Sequence, residues 1–523
     1  MNWKDPVLMK RLRVCWFLST GVLTIMAAYF MFWNMVLPYP IHSREYSDEL
    51  VSRLLHEGRN PYSIEVNPTN LYVYGFVYHL VVYPFASLFG DTLPTHRAVA
   101  DAALILCCVV LYWGMRLTLV PWSIAIAGVL LFFGQIGYND IIAEGNSLGL
   151  LFMLLALVLP LAAGFRPASL LANLVLALLA LYTKPYYVLC APALMLYLFL
   201  FRSKGAGLIC GIAFTIALAV TLWAVNVIFP LYFTNVFYLN YNFSKLSMSF
   251  RHLLHVLILY FPLGIAFALL LAWQAQRFFT GPGSWTTIRW QFHLMDLRQP
   301  LVLAPQISWI DYLLTTYLII YLFSLGPHGG NLLTYVYELI TPLLIWRCCI
   351  IAGVEAPERI EPLLAFQVTV LAVLGFLAFP MLVRHQVDHR SEWTHAADVA
   401  ARYQTMLAPG CMDGILIAQD KAIYDGGCTD LDSLCFPNNP WPIAIPFREK
   451  CREFSASLQE EVEHQKFDAV FLYASSPIFP LVPREVVERY YHKIESFPVG
   501  MAFENYEMEV WVPGTSSTSS TRG

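Results

Sequence analysis

Long apolar runs, broken by short polar loops, dominate this chain and predict a bundle of membrane-spanning helices. Hydropathy places about eleven spans, at 14–37, 98–117, 122–138, 147–163, 168–183, 185–201, 206–229, 252–274, 308–325, 332–350 and 363–383. A further run, 72–89, is apolar and aromatic but carries His79 and Pro84. Basic residues decide how to treat it, because Lys and Arg concentrate in cytoplasmic loops. If 72–89 does not cross, Arg116, Arg166, Arg202 with Lys204, the Arg277–Arg298 stretch, Arg347 and Arg359 all fall on the cytoplasmic side. If it crosses, Arg116, Arg166 and the Arg202/Lys204 pair move outside. The run is therefore read as a juxtamembrane or re-entrant helix, and 38–97 becomes one large first extracytoplasmic loop.

The same parity puts 139–146, Lys184, 230–251, 326–331 and everything after about Arg384 outside. The fold class is thus an α-helical polytopic membrane protein over 1–384, followed by a small extracytoplasmic α/β domain over 385–513. In that domain an amphipathic run lies near 393–408 and a helical pattern at 447–465. Gly414–Ala418, Phe467–Tyr473 and Met508–Val512 read as strands. Residues 514–523 are a low-complexity Ser/Thr tail, expected to be disordered. No internal repeat of the transporter kind is visible.

Composition agrees. Of 523 residues, 58% are hydrophobic and 13% charged, about half the charged share of a soluble protein. The net charge of −4 gives no sign of a nucleic-acid partner. Lys4, Lys10, Arg11 and Arg13 precede an apolar run too long for a signal peptide, which predicts a retained first helix with a cytoplasmic N-terminus. Seven cysteines lie in or beside apolar spans and read as packing residues. Cys411, Cys428, Cys435 and Cys451 lie in the polar tail, where they point to disulfides in one of three pairings.

The chemistry-bearing residues gather on the predicted outer side. Arg44, Glu45, Asp48 and Glu49 directly follow the first span. On a helix Glu45 shares a face with both Asp48 and Glu49, and a carboxylate at the membrane surface suits a general base. A solvated helix start is the bland alternative. Asp140 and Glu144 stand four apart in a loop and have the spacing to hold a divalent cation or a sugar. Lys184 sits between two spans on the outer side, against the charge bias, where a cation can meet a lipid phosphate. Snorkelling to the interface competes with that reading. Asn240 and Tyr241 combine an amide with an aromatic, as sugar sites do. The Gly326–Asn331 segment brings His328 and Asn331 near Glu338, a carboxylate inside an apolar helix.

Taken together, several short motifs resemble those of the GT-C superfamily of integral-membrane glycosyltransferases. They are the acidic first loop, Glu57-Gly58-Arg59-Asn60-Pro61-Tyr62, Tyr74-Gly75, Leu88-Phe89-Gly90, His96-Arg97, Thr183-Lys184-Pro185, Tyr241-Asn242-Phe243-Ser244 and Gly329-Gly330-Asn331. Their order is similar to that in bacterial dolichyl-phosphate-mannose-type and lipopolysaccharide-core-type members, over about residues 10–385. The resemblance implies an inverting transfer of a sugar from a polyprenyl-phosphate donor on the outer face of a bacterial inner or plasma membrane. It implies a base in the first loop, with Glu45 the best match and Asp48 second. Where many relatives carry an Asp at the 140–146 loop, this chain has Asn146.

The expected scheme is a single displacement. Glu45, with Asp48, deprotonates an acceptor hydroxyl. The leaving phosphate is stabilised by Lys184 and Arg97, with His328 near, and the sugar sits near Asn240, Tyr241 and Asn331. No nucleotide fingerprint is present. No cofactor is assigned, and a divalent cation stays open. The acceptor is a glycan, a lipid or a protein. A transporter or flippase, or a non-catalytic subunit for lipid-linked glycans, is the competing class.

Overall fold

A computed structural model describes residues 6–41, 44–63, 72–136, 144–239, 308–321, 336–355, 373, 389–424, 445–474, 482–501 and 504–514. The helices begin with α1 (Pro6–Val36), α2 (Arg44–His56), α3 (Val77–Phe89), α4 (Leu93–Leu117) and α5 (Trp122–Ile136). They continue with α6 (Asn146–Ala162), α7 (Pro167–Leu181), a 3-10 turn at Pro185–Leu189, α8 (Cys190–Phe201) and α9 (Lys204–Ile228). Then come α10 (Trp309–Ile320), a π-helical segment at Val336–Ile340 and α11 (Thr341–Ile350). The expected span 252–274, and 363–383 apart from residue 373, lie outside the described residues.

Among the described residues, three helical stretches are long and apolar enough to cross a membrane: Val14–Val36, Leu93–Leu117 and Lys204–Ile228. Their outer surfaces fit lipid better than water. Ile25 on α1 is 72% exposed, and Ile209 and Trp223 on α9 are each 70% exposed. Contiguous apolar exposure of this kind is disfavoured in water. The inward faces of α4, α5, α6, α8, α10 and α11 share one core, centred on residues such as Leu104, Leu111, Leu154, Leu194 and Trp346.

Helix α3 has 13 residues, about 20 Å of helix against about 30 Å of hydrocarbon. Segment 72–76 before it is not helical, and Gly90 ends it with φ +93°. Within 72–89 only Val77–Phe89 is helical, one of several apolar helices of 10–17 residues among the described residues. One face of α3, with Leu80, Tyr83, Leu88 and Phe89, is exposed.

The C-terminal region contains α12 (Arg390–Ala401), β1 (Met406–Leu407), α13 (Asp413–Ala418), α14 (Ile445–Glu463), β2 (Ala469–Tyr473), α15 (Arg484–Tyr490), β3 (Tyr491–Met501) and β4 (Glu504–Pro513). Its sheet runs β1-β2-β4-β3, with β1 parallel to β2 and the other pairs antiparallel. Two expectations need correction. Gly414–Ala418 is helical rather than a strand, because a five-residue apolar run has no periodicity to separate the two. The long strand β3 was not anticipated; Pro498 and the polar residues His492, Lys493 and Glu495 hide it. Of the tail cysteines, Cys428, Cys435 and the Cys451 side chain lie outside the described residues, and Cys411 is buried.

One apolar cluster joins this region to the first loop. It contains Leu37, Tyr39, Ile41, Tyr46 and Leu93 together with Trp393, Met412, Leu416, Phe471 and Val510. The Trp393 ring stacks on Tyr39 at 6.1 Å, and its Nε1 donates to the Gly500 carbonyl at 2.8 Å. Gly414 faces Tyr46 so closely that a Cβ there would come within 2.2 Å of the ring. Arg53 of α2 adds an ion pair to Asp420 at 2.9 Å.

Candidate functional site

Helix α2 follows α1 after a short turn through Pro38-Tyr39-Pro40, so its first residues lie against the end of α1 and the start of α4. Proline at the first turn lets α4 begin at Leu93, which places Arg97 one turn inside it. Arg97 is fully buried. Its Nε donates to Glu45 Oε1 at 2.7 Å and its Nη2 to Glu45 Oε2 at 2.7 Å. The remaining donors go to backbone carbonyls: Nη1 to Asn34 and Leu37, each at 2.7 Å, and Nη2 to Tyr39 at 2.8 Å. The Ile41 amide also donates to Glu45 Oε2 at 2.7 Å. All five guanidinium N–H groups are used, so Arg97 has no donor left for a phosphate. It fastens the α1–α2 turn, and Glu45 is its counter-ion.

Asp48 lies one turn further along α2 and is buried. Tyr72 donates its hydroxyl to Asp48 Oδ1 at 2.7 Å. The same hydroxyl is 2.8 Å from His79 Nε2, and His79 Nδ1 is 2.8 Å from Ser52 Oγ. His79 Nε2 is also 3.5 Å from Asp48 Oδ1. Burial holds His79 well below the ordinary imidazole range, with His96 and His56 adding to the fall. The imidazole is therefore neutral.

The non-helical segment before α3 ties Asp48 to a second polar group. Gly75 N–H donates to the Thr183 carbonyl at 3.1 Å, and Val77 N–H to the Tyr182 carbonyl at 2.9 Å. A Cβ on residue 75 would stand 1.9 Å from the Tyr182 oxygen, so the contact requires glycine. Next to it Lys184 donates to Glu144 at 2.8 Å, and its ammonium lies 4.2 Å from the Tyr74 ring centre. Glu338 accepts from the hydroxyls of Tyr186 and Tyr187. Lys184, Glu144 and Glu338 are all buried. Tyr72 stands between the two groups, its ring 5.9 Å from that of Tyr74.

The structure thus gathers Asp48, Glu144, Lys184 and Glu338 around segment 72–79 and the 182–187 turn, and holds Glu45 with Arg97 at the α1–α2 turn. Asp140, Asn240, Tyr241, His328, Asn331 and the Arg44 side chain lie outside the described residues. Among the described residues, no three His, Cys, Asp or Glu side chains group as a metal site, and Lys184 already occupies Glu144 where a cation would compete for it. Sequence reasoning missed Ser52, Tyr72, His79, Tyr186 and Tyr187. The visible signal was His79, a polar residue inside an otherwise apolar run.

Glu49 faces the other way, toward the C-terminal region. Its Oε2 lies 3.1 Å from where a Cβ on residue 414 would stand, and has no hydrogen-bond partner among the described residues. Burial pushes its carboxyl from 4.5 up to about 8; Asp91 and Glu45 add to the rise, and Arg97 and Arg53 oppose it. The folded state therefore keeps a proton that the unfolded chain releases across this range. Stability from Glu49 is full below the unfolded value and falls as pH rises toward 8. Glu49→Gln is expected to flatten the fall in melting temperature between about pH 5 and pH 8. Thermal unfolding in detergent measures it; equal slopes in variant and wild type would refute it.

No family model and no curated protein matches this chain. Among solved structures, it is similar to the crystal structure of ArnT from Cupriavidus metallidurans bound to undecaprenyl phosphate. The TM-score is 0.47 at 13% identity, covering 97% of this chain and 98% of that one.

Proposed function

We propose that this chain is a membrane glycosyltransferase of the GT-C type, taking its sugar from a polyprenyl-phosphate donor. One observation carries the reading: a buried carboxylate, Asp48, and a buried cation, Lys184, converge on segment 72–77, beside helices that expose apolar faces. A lipid-linked sugar needs such a place, with its chain in the bilayer and its phosphate and sugar at a polar pocket. The family resemblance of Tyr74-Gly75 and Thr183-Lys184-Pro185 supports the same reading, since these two motifs touch.

In the proposed reaction Asp48 takes the proton of an acceptor hydroxyl. We assign the base to Asp48 rather than Glu45 because both Glu45 oxygens are committed to Arg97 and the Ile41 amide. The acceptor oxygen attacks the anomeric carbon and inverts it, and the polyprenyl phosphate leaves. A phosphate leaves as an anion, so no second carboxylic acid is required, unlike in glycosidases. Lys184 is the cation assigned to that phosphate, held in place by Glu144. Active site and C-terminal region are placed on the extracytoplasmic side, by the distribution of basic residues.

The test is transfer by purified protein in detergent from a panel of polyprenyl-phosphate sugars. Lys184→Met with Glu144→Gln, which avoids a stranded buried charge, is expected to raise the donor KM about tenfold or more. Saturable lipid binding without transfer from any donor would favour a transporter or a non-catalytic subunit.

A further inference from the structure

Ser52, His79, Tyr72 and Asp48 form a hydrogen-bonded series whose direction follows from the protonation of Asp48. It runs from Ser52 Oγ to His79 Nδ1, from His79 Nε2 to Tyr72 Oη, and from Tyr72 Oη to Asp48 Oδ1, every contact 2.7 or 2.8 Å. Ser52, Tyr72, His79 and Asp48 are all buried. An ionised carboxylate only accepts, and a phenol has one hydrogen to give. Tyr72 must therefore spend its hydrogen on Asp48. Its oxygen then accepts from His79, which must carry its hydrogen on Nε2. Nδ1 is left bare, so Ser52 donates to it. If Asp48 were protonated and donated to Tyr72, each bond would reverse and His79 would carry its hydrogen on Nδ1.

We propose that Ser52, His79 and Tyr72 are positioning residues for proton transfer to Asp48, a one-way donor series that holds the carboxylate ionised and oriented. This rests on the assignment of Asp48 as proton acceptor in the proposed transfer. In that step the acceptor O–H breaks and its proton goes to Asp48. The freed electron pair forms the bond to the anomeric carbon, and the bond from that carbon to the phosphate oxygen breaks with its pair on the phosphate. Tyr72 favours the charged carboxylate beforehand, because a hydrogen bond to the ionised form lowers a carboxyl pKa. His79 prevents Tyr72 from turning away: its Nε2–H occupies the tyrosine oxygen and leaves no acceptor there for the phenol hydrogen. Ser52 holds the tautomer from the far end. Being on α2, four residues after Asp48, it lies on the same helix face.

The charged and titratable groups facing this series come from several elements. Tyr62 and Tyr78 face Asp48 along with Tyr72. Glu144 faces Tyr72. His96 and His56 face His79. Tyr78 donates its hydroxyl to the His96 carbonyl at 2.9 Å, so it is already engaged and does not replace Tyr72.

Two measurements test the proposal. The first is 15N NMR of the histidine rings in wild-type protein in detergent, with His79 assigned by difference from His79→Gln. The Nε2–H tautomer is expected at neutral pH; the Nδ1–H tautomer would overturn the proposal. The second is the pH dependence of kcat/KM for sugar transfer. Tyr72→Phe removes the hydrogen bond to the charged form and should move the acidic limb up by about one pH unit. His79→Gln, which keeps a donor and an acceptor, should move it less than His79→Leu. Should Tyr72→Phe not fold, Ser52→Ala provides the same sign of shift on a smaller scale. An unmoved limb in a folded, active Tyr72→Phe would also overturn the proposal. A wild type showing the Nε2–H tautomer but no transfer from any donor would leave the series standing and remove the transferase reading.

Discussion

Replacing Arg97 by methionine is expected to leave little folded protein. The substitution strips the charged partner from Glu45, a fully buried carboxylate, and removes the guanidinium donors to the carbonyls of Asn34, Leu37 and Tyr39. Breaking one side of a buried pair costs about 3–5 kcal/mol, a large part of the stability of an ordinary domain. Adding Glu45→Met should recover part of the loss, because it removes the unpaired charge. Arg97→Lys should not rescue, since a lysine cannot reach five acceptors as a planar fork does. The measurement is monodisperse yield and thermal unfolding in matched detergent. An Arg97→Met protein as stable as wild type would show that this pair does not hold the turn.

Asp48→Asn should fold and yet lose turnover by about 10²–10⁴-fold, the usual contribution of a positioned general base. Asparagine is nearly isosteric and its carbonyl still accepts from Tyr72, so the packing around 72–79 should survive. Donor KM should change little, because the phosphate is assigned to Lys184. Glu45→Gln should show the opposite pattern, with reduced stability and a kcat per folded molecule close to wild type. Single-turnover kinetics on both proteins separates the two roles. Equal losses of chemistry in the two variants would mean that the pair acts as one unit.

Much of this architecture was legible from the residues. Helices α1, α4 and α9 declare themselves by length and apolarity. The acidic start of α2 was visible as a cluster of carboxylates directly after the first span. What was not visible is which carboxylate does what. Glu45 and Asp48 look equivalent in sequence; only the arrival of Arg97, 52 residues away, and of Tyr72, 24 residues away, tells them apart. His79 looked anomalous because its partners, Ser52 and Tyr72, lie in other segments. Strand β3 escaped notice because Pro498 argues against a strand, yet β3 is at the edge of the sheet, where a missing N–H is tolerated. Its buried side chains, Tyr491, Phe497 and Val499, are too spread out to form an apolar run.

The central claim is that Asp48 serves as the base for transfer from a polyprenyl-phosphate sugar. The most direct test is release of polyprenyl phosphate by purified wild type, with Asp48→Asn and Glu45→Gln run beside it at equal folded concentration. The account predicts release by wild type and by the folded fraction of Glu45→Gln, and almost none by Asp48→Asn. Undiminished release by Asp48→Asn would contradict it.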